Sequence, residues 1–289
     1  MIGIICNIHK NSVINFTKKF LTLLNDEKVK FKLWTESKTH FSDLTDDNFC
    51  NIENLCSEAD LLISIGGDGT FLFSAYFAVK HDKPIYGLNF GKLGYLAEPE
   101  PGDLNLLIKK LLTKNYKIQE RILLDCNINN SRNYIAINDI VVDKGEYNKT
   151  IDLNLFGNNN FISTIISDGL IVSTPTGSTA YSLACGGPVI SPDADVFVLT
   201  PIAPHSLTIR PLVLTDRTEL TIEPFSRGGK MRITFDGQHD IYIQSYDKIQ
   251  IKKSQQKLKI IQINQKPYFE LLREKLLWGY DYRNKHSQQ

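Results

Sequence analysis

Ala59-Asp60-Leu61-Leu62-Ile63-Ser64-Ile65-Gly66-Gly67-Asp68-Gly69-Thr70 is the stretch that decides the fold of the first third of the chain. A compact apolar run, Ala59–Ile65, reads as a strand buried on both faces. It passes straight into three glycines around one carboxylate, and Phe71–Val79 then reads as a helix. Strand, glycine-rich turn and helix in that order form the repeating unit of parallel α/β sheets. Working outward, Ile2–Cys6, Lys28–Trp34 and Pro84–Asn89 read as further strands. Phe16, Phe20, Leu23 and Leu24 fall at helical spacing, and Leu104–Leu112 is a helix opened by Pro101 and Gly102.

This alternation predicts an α/β N-terminal domain with a Rossmann-like parallel sheet. Near Tyr116 the texture changes. Ile118–Ile128, Tyr134–Val142, Ile151–Phe156, Phe161–Ile166, Leu170–Ser173, Val196–Leu199, Glu219–Glu223, Met231–Phe235, Ile241–Gln244, Lys248–Lys252 and Lys257–Ile263 all read as strands. Gly, Asn and Asp turns such as Gly157–Asn160 and Asp236-Gly237 separate them. An all-β C-terminal domain follows, interrupted by one short helix after Pro175. Tyr268–Leu277 returns to helical periodicity, so a C-terminal helix is expected to pack back on the first domain. The expected division is 1–116 with 265–289 for the α/β domain and 117–264 for the β-rich domain.

Thirty-three basic against 32 acidic residues leave a net charge of +1. That balance offers no footprint for duplex nucleic acid or an anionic membrane. Five cysteines without a Cys-x-x-Cys pair argue against a disulfide framework or a zinc site. Met1–Cys6 is too short for a signal-peptide core, and no run approaches a membrane span. A soluble, cytoplasmic protein is the expectation.

The loop carries the first chemistry. Glycines let a ligand approach the backbone and permit positive φ. Successive N–H groups at a helix start then make an anion-binding concavity. The loop has no Gly-Lys-Ser/Thr and no Gly-x-Gly-x-x-Gly, so it is neither a P-loop nor a dinucleotide fingerprint. Asp68 is out of place in a phosphate cradle unless it has its own task. It reads as a general base toward a hydroxyl, as a ligand for Mg²⁺, or as the cap of the following helix.

Asn138-Asp139 closes an apolar strand. It reads as a strand-end turn or as an amide and carboxylate suited to a diol or an adenine edge. Ser167–Pro192 is denser. Thr174-Pro175-Thr176-Gly177-Ser178-Thr179 gathers hydroxyls and free amides at a helix start, where phosphate or carboxamide groups can bind, and Gly186-Gly187-Pro188 ends that helix. The bland reading is a well-capped structural helix.

Gly66–Thr70 resembles the motif shared by NAD kinases, diacylglycerol and sphingosine kinases and, more loosely, 6-phosphofructokinases. Ser167–Pro192 is close to residue-for-residue similar to the NAD kinase signature. Pro201–Leu207, Arg210–Val213 and Phe235-Asp236-Gly237-Gln238 resemble that family too. The resemblance implies an enzyme that uses ATP and a divalent metal, Mg²⁺, to phosphorylate the 2′-hydroxyl of the adenosine ribose of NAD. It implies that Asp68 is the proton acceptor and that the ATP phosphates lie over Gly66, Gly67, Gly69 and Thr70. Asn138, Asp139 and Asp168 would hold NAD. Thr179, Ala180, Tyr181 and Ser182 would line the nicotinamide side, and Gln238 would close the site. Lys149 falls where the family often has a basic phosphate contact, though it also reads as a solvated turn lysine. A homodimer or homotetramer is implied as well.

The chain departs from many relatives at Ile166 and Phe73, where they carry basic residues. His205 reads as a structural or interface histidine, and His9 borders the first strand. A lipid kinase would share the glycine loop but has no reason to carry Ser167–Pro192. A catalytically silent NAD(H) sensor would keep the pocket, and the intact Asp68 argues against it.

Overall fold

A computed structural model describes residues 1–91, 94–264 and 266–277. The chain divides into two compact units, Met1–Gln119 with Ile260–Gln289, and Glu120–Lys259.

In the first unit, strands β1 (Ile2–Cys6), β2 (Phe31–Trp34), β3 (Phe49–Cys50), β4 (Leu61–Gly66) and β5 (Ile85–Asn89) form a parallel sheet in the order β5-β4-β1-β2-β3. β1 and β4 are buried along their whole length, as their unbroken apolar runs require. Helices α1 (Asn11–Asp26), α2 (Ile52–Glu58), α3 (Asp68–Lys80) and α4 (Leu104–Leu112) connect and cover these strands. α2 carries too few apolar residues to stand out in the sequence. It is capped by Asn51, whose side chain accepts from the Asn54 N–H at 2.9 Å. The two-residue strand β6 (Glu98–Pro99) lies parallel beside β5.

The second unit is mostly antiparallel. Its strands are β7 (Lys117–Ile128), β8 (Arg132–Ala136), β9 (Asp139–Asp143), β10 (Ile151–Gly157), β11 (Asn160–Ser167), β12 (Gly169–Ser173), β13 (Val196–Ile202), β14 (Leu212–Thr215), β15 (Leu220–Phe225), β16 (Met231–Phe235), β17 (His239–Ile243) and β18 (Ile249–Gln262). One sheet runs β14-β13-β12-β9-β16-β17. A second set, β11-β10-β15-β18 with the β7–β8 hairpin, supplies the other wall of a shared apolar core. Leu153 and Ile222 from one wall meet Leu170 and Phe197 from the other there.

Several elements differ from the sequence reading. β18 is one strand of 14 residues rather than two. Its end belongs to the first unit, where Ile260 pairs in parallel with Ile85. β14 is not among the expected strands, being only four residues long, and its Leu212–Leu214 segment pairs with Phe197–Leu199 of β13. The helix expected after Pro175 is a 3₁₀ turn, Gly177–Thr179, followed by the short α5 (Tyr181–Ala184). The most informative difference is the break of Tyr134–Val142 into β8 and β9, with Ile137 and Asn138 between them. α6 (Tyr268–Leu276) lies in the first unit with Leu271 and Leu272 buried. No helix among the described residues is long and apolar enough to cross a membrane.

Candidate active site

The candidate residues fall in both units and are taken in turn. In the first unit, β4 delivers the glycine loop at its C-terminal end and α3 starts at Asp68, with Gly67 as N-cap. None of Gly66, Gly67 and Gly69 has a positive φ, so left-handed backbone is not why they are there. Gly66 is required by contact: a Cβ would lie 2.5 Å from the Thr70 hydroxyl. Gly67 and Gly69 face open space with nothing within 4 Å of a Cβ, which leaves their backbone approachable.

Asp68 does not cap its own helix, which settles one of its three readings. Its Oδ2 accepts the Tyr95 N–H at 3.0 Å, while Oδ1 is buried and has no hydrogen-bond partner among the described residues. Gly94 is packed against the carboxylate, since a Cβ there would lie 1.9 Å from Oδ1. A fixed carboxylate with a desolvated, unspent oxygen is a strong acceptor for a hydroxyl or a cation. α6 adds a charge that the sequence motifs do not reveal. Lys275 Nζ sits 3.5 Å from the centroid of the Tyr95 ring. Burial lowers the Lys275 ammonium's pKa, and the Asp68 charge opposes that shift. Phe73 packs in an aromatic cluster, 5.0 Å from Trp34 and 5.2 Å from Phe77 between ring centroids. It is half-buried there, held by ring packing.

In the second unit the break between β8 and β9 presents Asn138 and Asp139, both buried. Among the described residues the Asn138 side-chain Oδ1 has no partner, and neither does the nearby buried hydroxyl of Thr176. Thr174 grips the break from one side. Its hydroxyl donates to the Ile137 carbonyl at 2.7 Å, and its N–H donates to the Asn138 carbonyl at 2.9 Å. Gly177 is obligatory here, because a Cβ would lie 2.1 Å from the Asn138 carbonyl oxygen. Burial pushes the Asp139 carboxyl up to about 7, and the neighbouring Asp236 charge adds to that shift.

Asp168 sits at the β11–β12 corner and pairs with Lys144 at 2.9 Å. Lys144 is thus the basic residue set against a candidate NAD contact, while Lys149 is exposed. Thr179 is part-buried, and Ala180 and Tyr181 are open to solvent. Ser182 is fully buried, and its hydroxyl is engaged with Thr200 at 2.8 Å. It anchors α5 and leaves the neighbouring three residues as the open side. Gln238 is exposed in the turn between β16 and β17.

Comparison with known proteins places these two units. The profile of the ATP-NAD kinase N-terminal domain matches residues 2–116, and that of the ATP-NAD kinase C-terminal domain matches residues 137–263. NAD kinase from Clostridium botulinum (strain ATCC 19397 / Type A) is 37% identical over 281 residues, covering 95% of both chains. NAD kinase from Natranaerobius thermophilus is 34% identical over 284 residues, covering 96% of this chain and 98% of that one. Yeast NADH kinase, solved with NADH, shares the fold with a TM-score of 0.86 at 24% identity, covering 98% of this chain and 89% of its own. An Archaeoglobus fulgidus NAD kinase, solved with ATP, superposes with a TM-score of 0.77 at 25% identity over 96% and 99% of the two chains. The architecture is that of a two-domain nucleotide kinase. The chain belongs to the ATP-NAD kinase family.

Proposed function

We infer that the chain transfers the γ-phosphoryl group of ATP to the 2′-hydroxyl of the adenosine ribose of NAD. The bond from the γ-phosphorus to its bridging oxygen breaks, the 2′-oxygen–phosphorus bond forms, and NADP and ADP leave. Asp68 accepts the hydroxyl proton. The observation that carries this role is its immobilised carboxylate, with one oxygen buried and unpartnered beside an open glycine cradle.

Backbone N–H groups of Gly67 and Gly69 and the start of α3 receive the phosphates. Asn138 and Asp139 hold the ribose and adenine side of NAD. Asp168 holds a further part of it through a carboxylate already balanced by Lys144. Thr179, Ala180 and Tyr181 form the nicotinamide side, with Gln238 and Lys149 at the margin. Phosphoryl transfer asks mainly for positioning and charge stabilisation, which suits a site with one proton acceptor.

A divalent cation fits these residues in a limited way. No group of three or more His, Cys, Asp or Glu side chains that could hold a metal occurs among the described residues. The unspent Asp68 oxygen is a ligand the cradle offers. Mg²⁺ habitually keeps several waters and rides on substrate phosphates with one or two carboxylates, which matches that supply. When bound it neutralises the charge that develops on the transferring group. Kinship with the family also supports a homodimer or homotetramer acting in the cytoplasm.

Incubation with NAD, ATP and Mg²⁺ should yield NADP, read by an NADP-specific dehydrogenase, and EDTA should abolish it. Undiminished NADP formation in EDTA would remove the metal from this reading. Gly94→Ala should cut the rate by about 10-fold or more, because the added methyl displaces the Asp68 carboxylate. A wild-type rate in that variant would show that the position of Asp68 does not govern turnover.

A further inference from the structure

We propose that Asp236 is a positioning residue for NAD: its carboxylate fixes the break between β8 and β9, and so aims the Asn138 amide and the Asp139 carboxylate. The proposal rests on the assignment of NAD to Asn138 and Asp139 made above.

Three successive backbone N–H groups converge on this one side chain. Ile137 N–H donates to Oδ2 at 2.8 Å, Asn138 N–H to Oδ1 at 2.6 Å, and Asp139 N–H to Oδ1 at 3.1 Å. The Asp236 N–H returns a bond to the Asp139 carbonyl at 3.0 Å. An Asn138-Asp139 segment running on as regular β-strand would point its N–H groups alternately to opposite sides. Gathering three in a row on one acceptor holds the segment out of the strand, and it is here that the expected single strand divides. Charge-assisted bonds of this kind are the strong ones, and three of them favour the ionised carboxylate.

The local backbone argues the same way. Asp236 has φ +52° and Gly237 φ +65° in the three-residue turn from β16 to β17. Turn geometry alone is met there by Gly or Asn. An aspartate satisfies it too and adds the acceptor that the break needs.

Asparagine separates the two roles. Asp236→Asn keeps the left-handed turn but replaces one acceptor oxygen by an NH₂ that faces N–H donors. The expected result is a folded protein whose Kd for NAD, measured by calorimetry, rises by about 10-fold or more while its Kd for ATP stays within about 2-fold. A purely structural role would lower the melting temperature and leave the Kd for NAD unchanged in the folded fraction, and that result overturns the proposal. Should Asp236→Asn not fold, Thr174→Val loosens the same break from the opposite side and should give the same split between NAD and ATP. An unchanged Kd for NAD in folded Thr174→Val would also overturn it. The readout is binding rather than turnover. A wild type that bound NAD without phosphorylating it would therefore sink the kinase reading and still leave this proposal decided by its own variants.

Discussion

Asp68→Asn lowers kcat for NADP formation by about 100-fold or more, the scale of a lost general base, and leaves the fold standing. The asparagine carbonyl can still accept the Tyr95 N–H that Oδ2 accepts now. The buried oxygen without a partner, Oδ1, becomes an NH₂ that cannot take a proton. Loss of a negative charge from the first turn of α3 costs only about 0.3–1 kcal/mol. Activity and stability should therefore separate. kcat at saturating NAD and ATP, set beside the melting temperature, checks this, and a kcat within about 3-fold of wild type would take the proton-acceptor role away from Asp68.

Asp139→Asn should stabilise the protein above neutral pH while weakening NAD binding. Burial pushes the Asp139 carboxyl up to about 7 from its ordinary 3.8, with the Asp236 charge adding to it. Burial raises Asp236 too, but three backbone N–H bonds oppose that shift, so Asp236 keeps the charge and Asp139 takes the proton. A carboxyl whose folded-state pKa is raised contributes stability that is fully present below its unfolded pKa. That contribution is lost as pH rises through about 7. At pH 8 the wild type carries a charge penalty of up to about 4 kcal/mol that the asparagine variant lacks. Its melting temperature should then exceed wild type by roughly 5–10 °C at pH 8 and match it closely only below about pH 4. The KM for NAD of the wild type should fall as pH rises toward 7, because an ionised Asp139 accepts ribose hydroxyls that a protonated one does not. Equal melting temperatures at pH 8 would mean that Asp139 bears no buried-charge penalty.

Local signals account for how much was legible. The β4–loop–α3 unit announces itself because a doubly buried strand is a continuous apolar run and three glycines are conspicuous. The β-rich half is legible because its strands alternate and end in Asn, Asp and Gly turns. β14 and α2 were not, since pairing with β13 and a cap by Asn51 hold them rather than periodicity. The β8–β9 break is only partly legible, since Asn138-Asp139 offers a strand-end turn inside a stretch, Tyr134–Val142, that otherwise suits one strand. Its cause is a carboxylate 97 to 99 residues away in sequence. The same limit applies to charge. Lys149 falls where the family often has a basic phosphate contact, whereas Lys144 makes the ion pair with Asp168, and Lys275 reaches Tyr95 only because α6 is in the first unit. Gly66 and Gly94 could be read as flexible positions. Only packing reveals that their missing side chains leave room for Thr70 and Asp68.

Transfer of the ATP γ-phosphoryl group to the 2′-hydroxyl of NAD is measured with γ-³²P-labelled ATP, NAD and Mg²⁺. The product's label is then located by comparison with authentic 2′- and 3′-phosphorylated dinucleotides. One label per dinucleotide, at the 2′ position, is expected. Label at the 3′ position, or none from folded protein that binds both nucleotides, would contradict it.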